Sequence, residues 1–268
     1  MPRLDQELVA RGLARSRTHA AKLIAGGLVS RAGTVLTKPA AAVGPGDDLL
    51  VASAGPDYAS RAGHKLAGAL EAFPAVRPGG LRCLDAGAST GGFTDVLLRA
   101  GAREVAAVDV GHGQLVPELR ADPRVHVFEG MNVRYLDSTA IGGPAALTVA
   151  DLSFISLTLV IEPLSRATLP GGDLVLMVKP QFEVGRGNLA HTGVVSSEAE
   201  RRRAVEQVVR SAVGAGLEVR GLARSPLPGQ DGNIEFFLWI KVPLSQPVPR
   251  IGSELETEVR EAMRQYPQ

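Results

Sequence analysis

The chain contains a single cysteine, Cys83, and that scarcity excludes both an intramolecular disulfide framework and a zinc site built from cysteines alone. It points to a reducing compartment, the cytoplasm. No apolar run reaches the roughly 18 residues that a membrane-crossing helix needs. The opening stretch MPRLDQELVARG also lacks the apolar centre of a signal peptide, so a soluble, unexported protein with no membrane partner is expected. Two nucleotide-binding signatures are missing as well. No G-x-x-x-x-G-K-[ST] phosphate loop exists, which disfavours ATP hydrolysis, and the G-x-G-x-x-G fingerprint fails because Ser89 stands where its second glycine belongs. His64, His112, His126 and His191 have no ligand spacing, and no metal is expected. Lysine is scarce too, with five against 24 arginines.

What is present is an ordinary globular composition of 45% hydrophobic and 21% charged residues over 268 positions, enough for two domains or one large one. The net charge of +1 hides an asymmetry. Residues 1–46 carry Arg3, Arg11, Arg15, Arg17, Lys22, Arg31 and Lys38 against only Asp5 and Glu7, a balance of +5, while the remainder has 22 basic and 26 acidic residues, a balance of −4. A basic head on a mildly acidic body suggests that the head meets a polyanion. A merely solvated basic face explains the charge equally well.

The spacing of Leu4, Leu8 and Leu13 predicts a first short helix. Ser16 reads as the N-cap of a second, which buries Ala20, Ala21, Leu23 and Ile24 and stops at Gly26-Gly27. Short strand-like stretches follow, ending in DLLVA, and Gly55-Pro56 marks a boundary. The expected division is a small α+β unit over 1–54, a linker over 55–60 and a larger domain over 61–268. In that domain a helix over Gly63–Phe73 leads into alternating strands and helices. LRCLDA, EVAAVDV, VHVF, ALTVADL and GDLVLMVK are the strands, and helices are expected at Phe93–Ala100, Gln114–Arg120, Ser156–Ala167 and Ser197–Ala215. LEVRGLA and NIEFFLWIK have no helix between them and suggest an antiparallel edge hairpin, and the tail beyond 242 ends in a charged helix. The whole is a doubly wound, Rossmann-like α/β sheet, mostly parallel with an antiparallel last strand.

In such sheets the ligand sits at the carboxyl ends of the strands where strand order reverses. LDAGASTGGFT, residues 84–94, fills that position. Gly87 allows a tight turn, and Gly91 and Gly92 admit a close ligand ahead of the helix, with Ser89 and Phe93 in the same loop. Asp85 leads the loop and would face a cationic amine. Asp109 lies 22 residues past Gly87, where an acid can accept both hydroxyls of a ribose, and Asn132 could bond an adenine. An acid for an amine, glycines for close approach and an acid for a ribose together suit S-adenosylmethionine, although a glycine-rich turn alone can be only a turn.

Asp151 and Lys179 each end an apolar strand and should project beside that loop, as should Lys65 on the preceding helix and Glu235 at the start of the last strand. Strand-end charges can be plain solvated groups. Lysine differs from arginine in being able to lose a proton when desolvated, which makes it a candidate base. Methyl transfer from a sulfonium to a hydroxyl asks for positioning and proton transfer, not for a covalent intermediate. Cys83, inside a strand, reads as packing, which disfavours cysteine-dependent methylation of pyrimidine carbons.

RLDQELVARGLARSRTHAAKLIAGGLV resembles the S4-type RNA-binding domain of a small-subunit ribosomal protein and of pseudouridine synthases. SRAGHKL, LDAGASTGGFTDVLL, VDVGHGQL, ADLSFISL, VKPQFEVGRG and SPLPGQDGNIEFFLW resemble the TlyA family of hemolysin-like ribosomal RNA methyltransferases, whose catalytic domain is of the FtsJ type. The resemblance runs from about residue 3 to 241. It implies S-adenosylmethionine-dependent 2′-O-methylation of cytidine in ribosomal RNA, within ribosomal subunits. Separately, a monomer is expected. Lys65, Asp151, Lys179 and Glu235 correspond to the family's catalytic tetrad, with Asp151 also near the cofactor and Lys179 engaging the 2′-hydroxyl. Arg3, Arg11, Arg15, Arg17 and Lys22 would contact RNA. Shorter members modify the large subunit and longer ones both; only Met-Pro precedes Arg3, whereas the extension past Lys241 is long and leans toward both. The hemolysin name implies the rival of a membrane-active protein, and a non-catalytic ribosome assembly factor is the other. The glycine-containing loop from Glu183 to Val195 is a candidate to order over substrate.

Overall fold

The computed structural model describes residues 2–14, 16–51, 58–185, 193–229 and 231–267. Contacts divide the chain into two compact units, Met1–Asp57 and Tyr58–Gln268. In the first, α1 (Leu4–Ala10) and α2 (Arg17–Ala25) accompany a three-stranded antiparallel sheet of order β2-β1-β3, with β1 at Val29–Arg31, β2 at Thr34–Val35 and β3 at Leu49–Val51. Leu4 and Leu8, one helical turn apart, are fully buried with Ala20, Ile24, Val29 and Val43. Ser16 caps α2 as expected, its Oγ accepting from the His19 N–H at 3.2 Å. Arg31 pairs with Thr34 across a two-residue turn in which Ala32 and Gly33 both have positive φ, the geometry that matches strand twist in tight hairpins.

The second unit opens with α3 (Arg61–Ala72) and then builds β4 (Arg82–Ala86), α4 (Gly92–Arg99), β5 (Glu104–Val108), α5 (Pro117–Arg120), β6 (Val125–Phe128), β7 (Ala145–Ala150), α6 (Ile161–Arg166), β8 (Thr168–Val178), α7 (Pro180–Glu183), α8 (Glu198–Gly214), β9 (Glu218–Arg224), β10 (Phe236–Lys241) and α9 (Gly252–Ala262). The sheet order is β6-β5-β4-β7-β8-β10-β9. Strands β4 to β8 pair in parallel, and β10 pairs antiparallel with both β8 and β9. Alternate side chains along each strand feed two cores. Cys83, Val105, Val149 and Met177 pack with α3 and α4 on one face, while Leu84, Ala106, Leu176 and Leu238 pack with α6, α8 and α9 on the other.

One expectation about the strands holds and two about the helices are corrected. The last two strands form the expected antiparallel hairpin at one edge of the sheet, with β10 inside against β8 and β9 outermost. Phe236, Phe237, Leu238 and Ile240 are all buried, and a run apolar on both faces needs cover that an edge cannot give. The helix expected over Gln114–Arg120 is only Pro117–Arg120, since proline has no N–H to donate within a helix and is suited to its first turn. Ser156–Ala167 is a 3-10 turn at Leu157–Leu159 followed by α6. The long helix before β9 starts where its Ser-x-x-Glu signature places it, Ser197 Oγ accepting from the Glu200 N–H.

Candidate active site

From β4 the chain runs outward to β5 and β6, then returns past β4 to β7, so strand order reverses at the carboxyl ends of β4 and β7. A cavity of about 650 Å³ opens there, lined among others by Gly87, Ser89, Asp109, Asn132 and Asp151. A smaller one of about 150 Å³ is lined by Ser60, Gly92, Phe93 and Lys179 and shares Gly87, Ser89, Asp151 and Ser153 with the first.

The loop after β4 is shaped by close approach. A Cβ at Gly87, whose φ is +87°, would stand 2.7 Å from the Asp151 carbonyl oxygen, and one at Gly92 would stand 2.3 Å from Ser60 Oγ. Glycine therefore lets this loop meet the end of β7 and the start of α3, a demand of the protein itself beyond any ligand. Asp109 pins the same loop from β5, its two oxygens accepting from the Ser89 N–H at 2.8 Å and the Gly111 N–H at 2.7 Å. Asn132 caps the turn at Val133–Tyr135 by accepting from the Arg134 N–H. Gln114, not anticipated from sequence, joins the lining and accepts from Ser89 Oγ at 3.1 Å.

Asp85 is fully buried and lines neither cavity. Thr94 Oγ1 donates to its Oδ2 at 2.6 Å, while Oδ1 has no partner. Burial pushes its carboxyl up to about 7; the Thr94 hydrogen bonds oppose the rise, and the charges of Asp151 and Asp109 add to it. The unpaired oxygen is a cost that a cation could relieve. Its neighbour Cys83 is inert packing, for burial raises that thiol to about 12.

The four charged residues form two ion pairs. Lys65 Nζ lies 2.6 Å from Glu235 Oε2 and 4.0 Å from Met177 Sδ, and both members of the pair are buried. Lys179 Nζ lies 2.7 Å from Asp151 Oδ1 and donates to Ser153 Oγ at 3.0 Å. The antiparallel register explains why the pairs meet. Phe236 faces Val178, so Glu235, just before β10, and Lys179, just after β8, are neighbours. Phe154, also missed from sequence, is 92% exposed with φ +64° and sits 5.2 Å from the Phe182 ring centroid. Nothing in local spacing signals Ser153 or Phe154, whose places depend on where the chain leaves β7.

In the first unit, Arg3 Nε and an Arg17 terminal nitrogen reach the two oxygens of Asp5 at 3.0 and 3.1 Å. Those contacts hold the Asp5 carboxyl below the usual range, the Arg3 hydrogen bond foremost. Arg11 is turned inward, donating to Glu7 at 2.8 Å and to the carbonyls of Asp47 at 2.6 Å and Gly44 at 2.7 Å. Arg15 and the side chain of Lys22 lie outside the described residues, as do positions 186–192 of the glycine-containing loop. Among the described residues no group of three or more metal-ligating side chains occurs.

The family model described as FtsJ-like methyltransferase matches residues 58–242, and that of the S4 domain matches residues 2–49. The chain is 49% identical over 266 residues to the 16S/23S rRNA (cytidine-2′-O)-methyltransferase TlyA of Mycobacterium tuberculosis, covering 99% of this chain and 98% of that one. It is 31% identical over 183 residues to the 23S rRNA (cytidine-2′-O)-methyltransferase TlyA of Campylobacter jejuni, covering 68% and 70%. A solved structure from Streptococcus thermophilus, which bears a provisional hemolysin name, superposes with a TM-score of 0.72 at 36% identity over 99% of this chain and 96% of that one.

Proposed function

The chain belongs to the FtsJ-like methyltransferases and, within them, to the TlyA family, and on that premise we propose that it methylates the 2′-hydroxyl of cytidine in ribosomal RNA, using S-adenosylmethionine. The observation that carries the reading is that the β8–β10 register sets Glu235, paired with Lys65, next to Lys179, whose partner Asp151 lines a cavity together with Asp109 and Asn132. The relative from M. tuberculosis is named for both 16S and 23S RNA and shares nearly the full length, which supports both subunits as substrates and the cytoplasm as the place of action.

The residues present fit the cofactor. In the cavity wall Asp109 can accept from ribose hydroxyls and Asn132 can bond an adenine edge, while Asp85, outside that lining, has a buried unpaired oxygen whose cost a cationic amine would relieve. When bound, the cofactor supplies a methyl group on a positively charged sulfur. The protein's part is orientation and proton transfer. Asp151 and Ser153 take up two of the three positions around Lys179 Nζ; once the ammonium has given up a proton to solvent, the lone pair at the third position can meet the attacking hydroxyl and take its proton as the oxygen bonds the methyl group. Glu235 fixes Lys65 so that it assists. The exposed ring of Phe154 suits stacking on an unpaired base. Arg3 and Arg17, with about half or more of each side chain exposed, offer guanidinium donors to phosphate.

A second reading, membrane lysis, follows only from the hemolysin names of some relatives. Among the described residues no helix is long and apolar enough to cross a membrane. Methyl transfer from labelled cofactor to ribosomal subunits, beside dye release from lipid vesicles, separates the two. Label in RNA without dye release is expected; dye release without label would replace the methyltransferase reading.

A further inference from the structure

Glu183 has no place in the two ion pairs, although its side chain is 94% buried at the edge of the same site. It ends the single turn of α7, four residues past Lys179, whose carbonyl accepts from the Phe182 N–H at 2.9 Å. Its Oε1 accepts from the buried Leu157 N–H at 2.9 Å and its Oε2 accepts from the Ser156 hydroxyl. At the other end of this turn Lys179 holds Asp151 and Ser153. Segment 179–183 thus grips the loop 151–157 twice, once at each end. Between the grips stands Phe154 with positive φ, a conformation a bulky residue keeps only where its surroundings over-determine it.

We infer that Glu183 is a positioning residue, whose two hydrogen bonds fix the loop after β7 to α7 so that Lys179 keeps Asp151 and Ser153 as partners. Removing the carboxylate leaves the Leu157 N–H buried without an acceptor and frees one end of the loop. Glutamine preserves the clamp, since its carbonyl accepts from Leu157 and its amide donates to Ser156 Oγ. The kinetic consequence rests on the methyltransferase reading; the clamp itself does not.

The test is amine acylation of the full chain, with rates at Lys179 and Lys65 read separately by peptide mass spectrometry. Glu183→Ala should raise the rate at Lys179 by about tenfold, the equivalent of one net hydrogen bond, and leave Lys65, paired elsewhere, unchanged. Glu183→Gln should restore the slow rate. In methyl-transfer assays Glu183→Ala should lower kcat by about the same factor and Glu183→Gln should recover it. An unchanged rate at Lys179, an equal rise at Lys65 from general loosening, or failure of glutamine to rescue would overturn the inference. If Glu183→Ala does not fold, Ser156→Ala removes one donor from the facing side. It should give the same Lys179-selective rise at smaller size, and no rise would count against the clamp. An inactive wild type with Lys179-selective labelling in the variant would remove the methyltransferase reading and leave the clamp standing.

Discussion

The two units use their cations in opposite ways. In the first, Arg3 and Arg17 share Asp5 while 48% and 60% of their side-chain surfaces remain exposed. In the second, Lys65 and Lys179 are drawn in to 10% and 11%, each on a carboxylate of its own. Exposed pairs contribute little to stability and leave guanidinium donors for a partner, whereas a buried pair has a desolvation cost that apolar residues would avoid. Arginine also stays charged where lysine can give up a proton. Under the proposed function the exposed arginines would serve recognition and the withdrawn lysines chemistry, and Arg11, spent on internal carbonyls, belongs to neither group.

The largest effect that would sharpen this contrast is at the second lysine. Lys179→Ala should lower kcat for methyl transfer by about 10²–10⁴-fold, the usual worth of a positioned acid or base, with cofactor binding by calorimetry retained. Lys179→Arg should fail to recover it, because it keeps the charge without the proton chemistry. Next is stability. Lys65→Met strands the buried Glu235 and should cost about 3–5 kcal/mol in denaturant unfolding; a loss under 1 kcal/mol would place Lys65 among surface pairs and break the contrast.

A smaller effect tests Asp85. Its value near 7 in the folded protein lies above the roughly 3.9 of an unfolded aspartate. Its contribution to the stability of the cofactor-free protein is therefore greatest below about pH 4 and declines as pH rises through about 7. A cation bound at this carboxylate favours its ionised form, so the Kd for S-adenosylmethionine should fall about tenfold between pH 6 and pH 8, and this dependence should vanish in Asp85→Asn. A flat profile in the wild type would contradict the role. Smallest is the head. The double change Arg3→Ala and Arg17→Ala should weaken subunit binding several-fold and reduce the salt slope by about one per lost phosphate contact, with cofactor affinity unaltered. Arg11→Ala should instead lower the melting temperature of the first unit.

Much of the fold was legible because it rests on local signals. Ser16 announces the start of α2, and the apolar strand runs followed by Asp109, Asp151 and Lys179 announce a carboxyl edge. Less was legible where distant residues decide. An antiparallel pair at the edge could be read from LEVRGLA and NIEFFLWIK, but not which of the two would lie inside; β10 does, where both faces of FFLWI are covered. Arg11 looks like an RNA contact until carbonyls 33 and 36 residues away claim its donors. The strand ends suggest the four charges for one site, but their arrangement as two pairs depends on the β8–β10 register, which no spacing in the chain encodes. Glu183 was hidden for the same reason, since its partners lie 26 and 27 residues back.

The central claim, that the withdrawn lysines perform 2′-O-methyl transfer on ribosomal RNA, is tested most directly by incubating ribosomal subunits with methyl-labelled S-adenosylmethionine and the wild-type or Lys179→Ala protein, then digesting the RNA with alkali. A 2′-O-methyl group blocks cleavage of the adjoining bond. The account predicts label in alkali-resistant dinucleotides that begin with cytidine, present with wild type and lost with Lys179→Ala. Label released in mononucleotides, or retained with the variant, would contradict it.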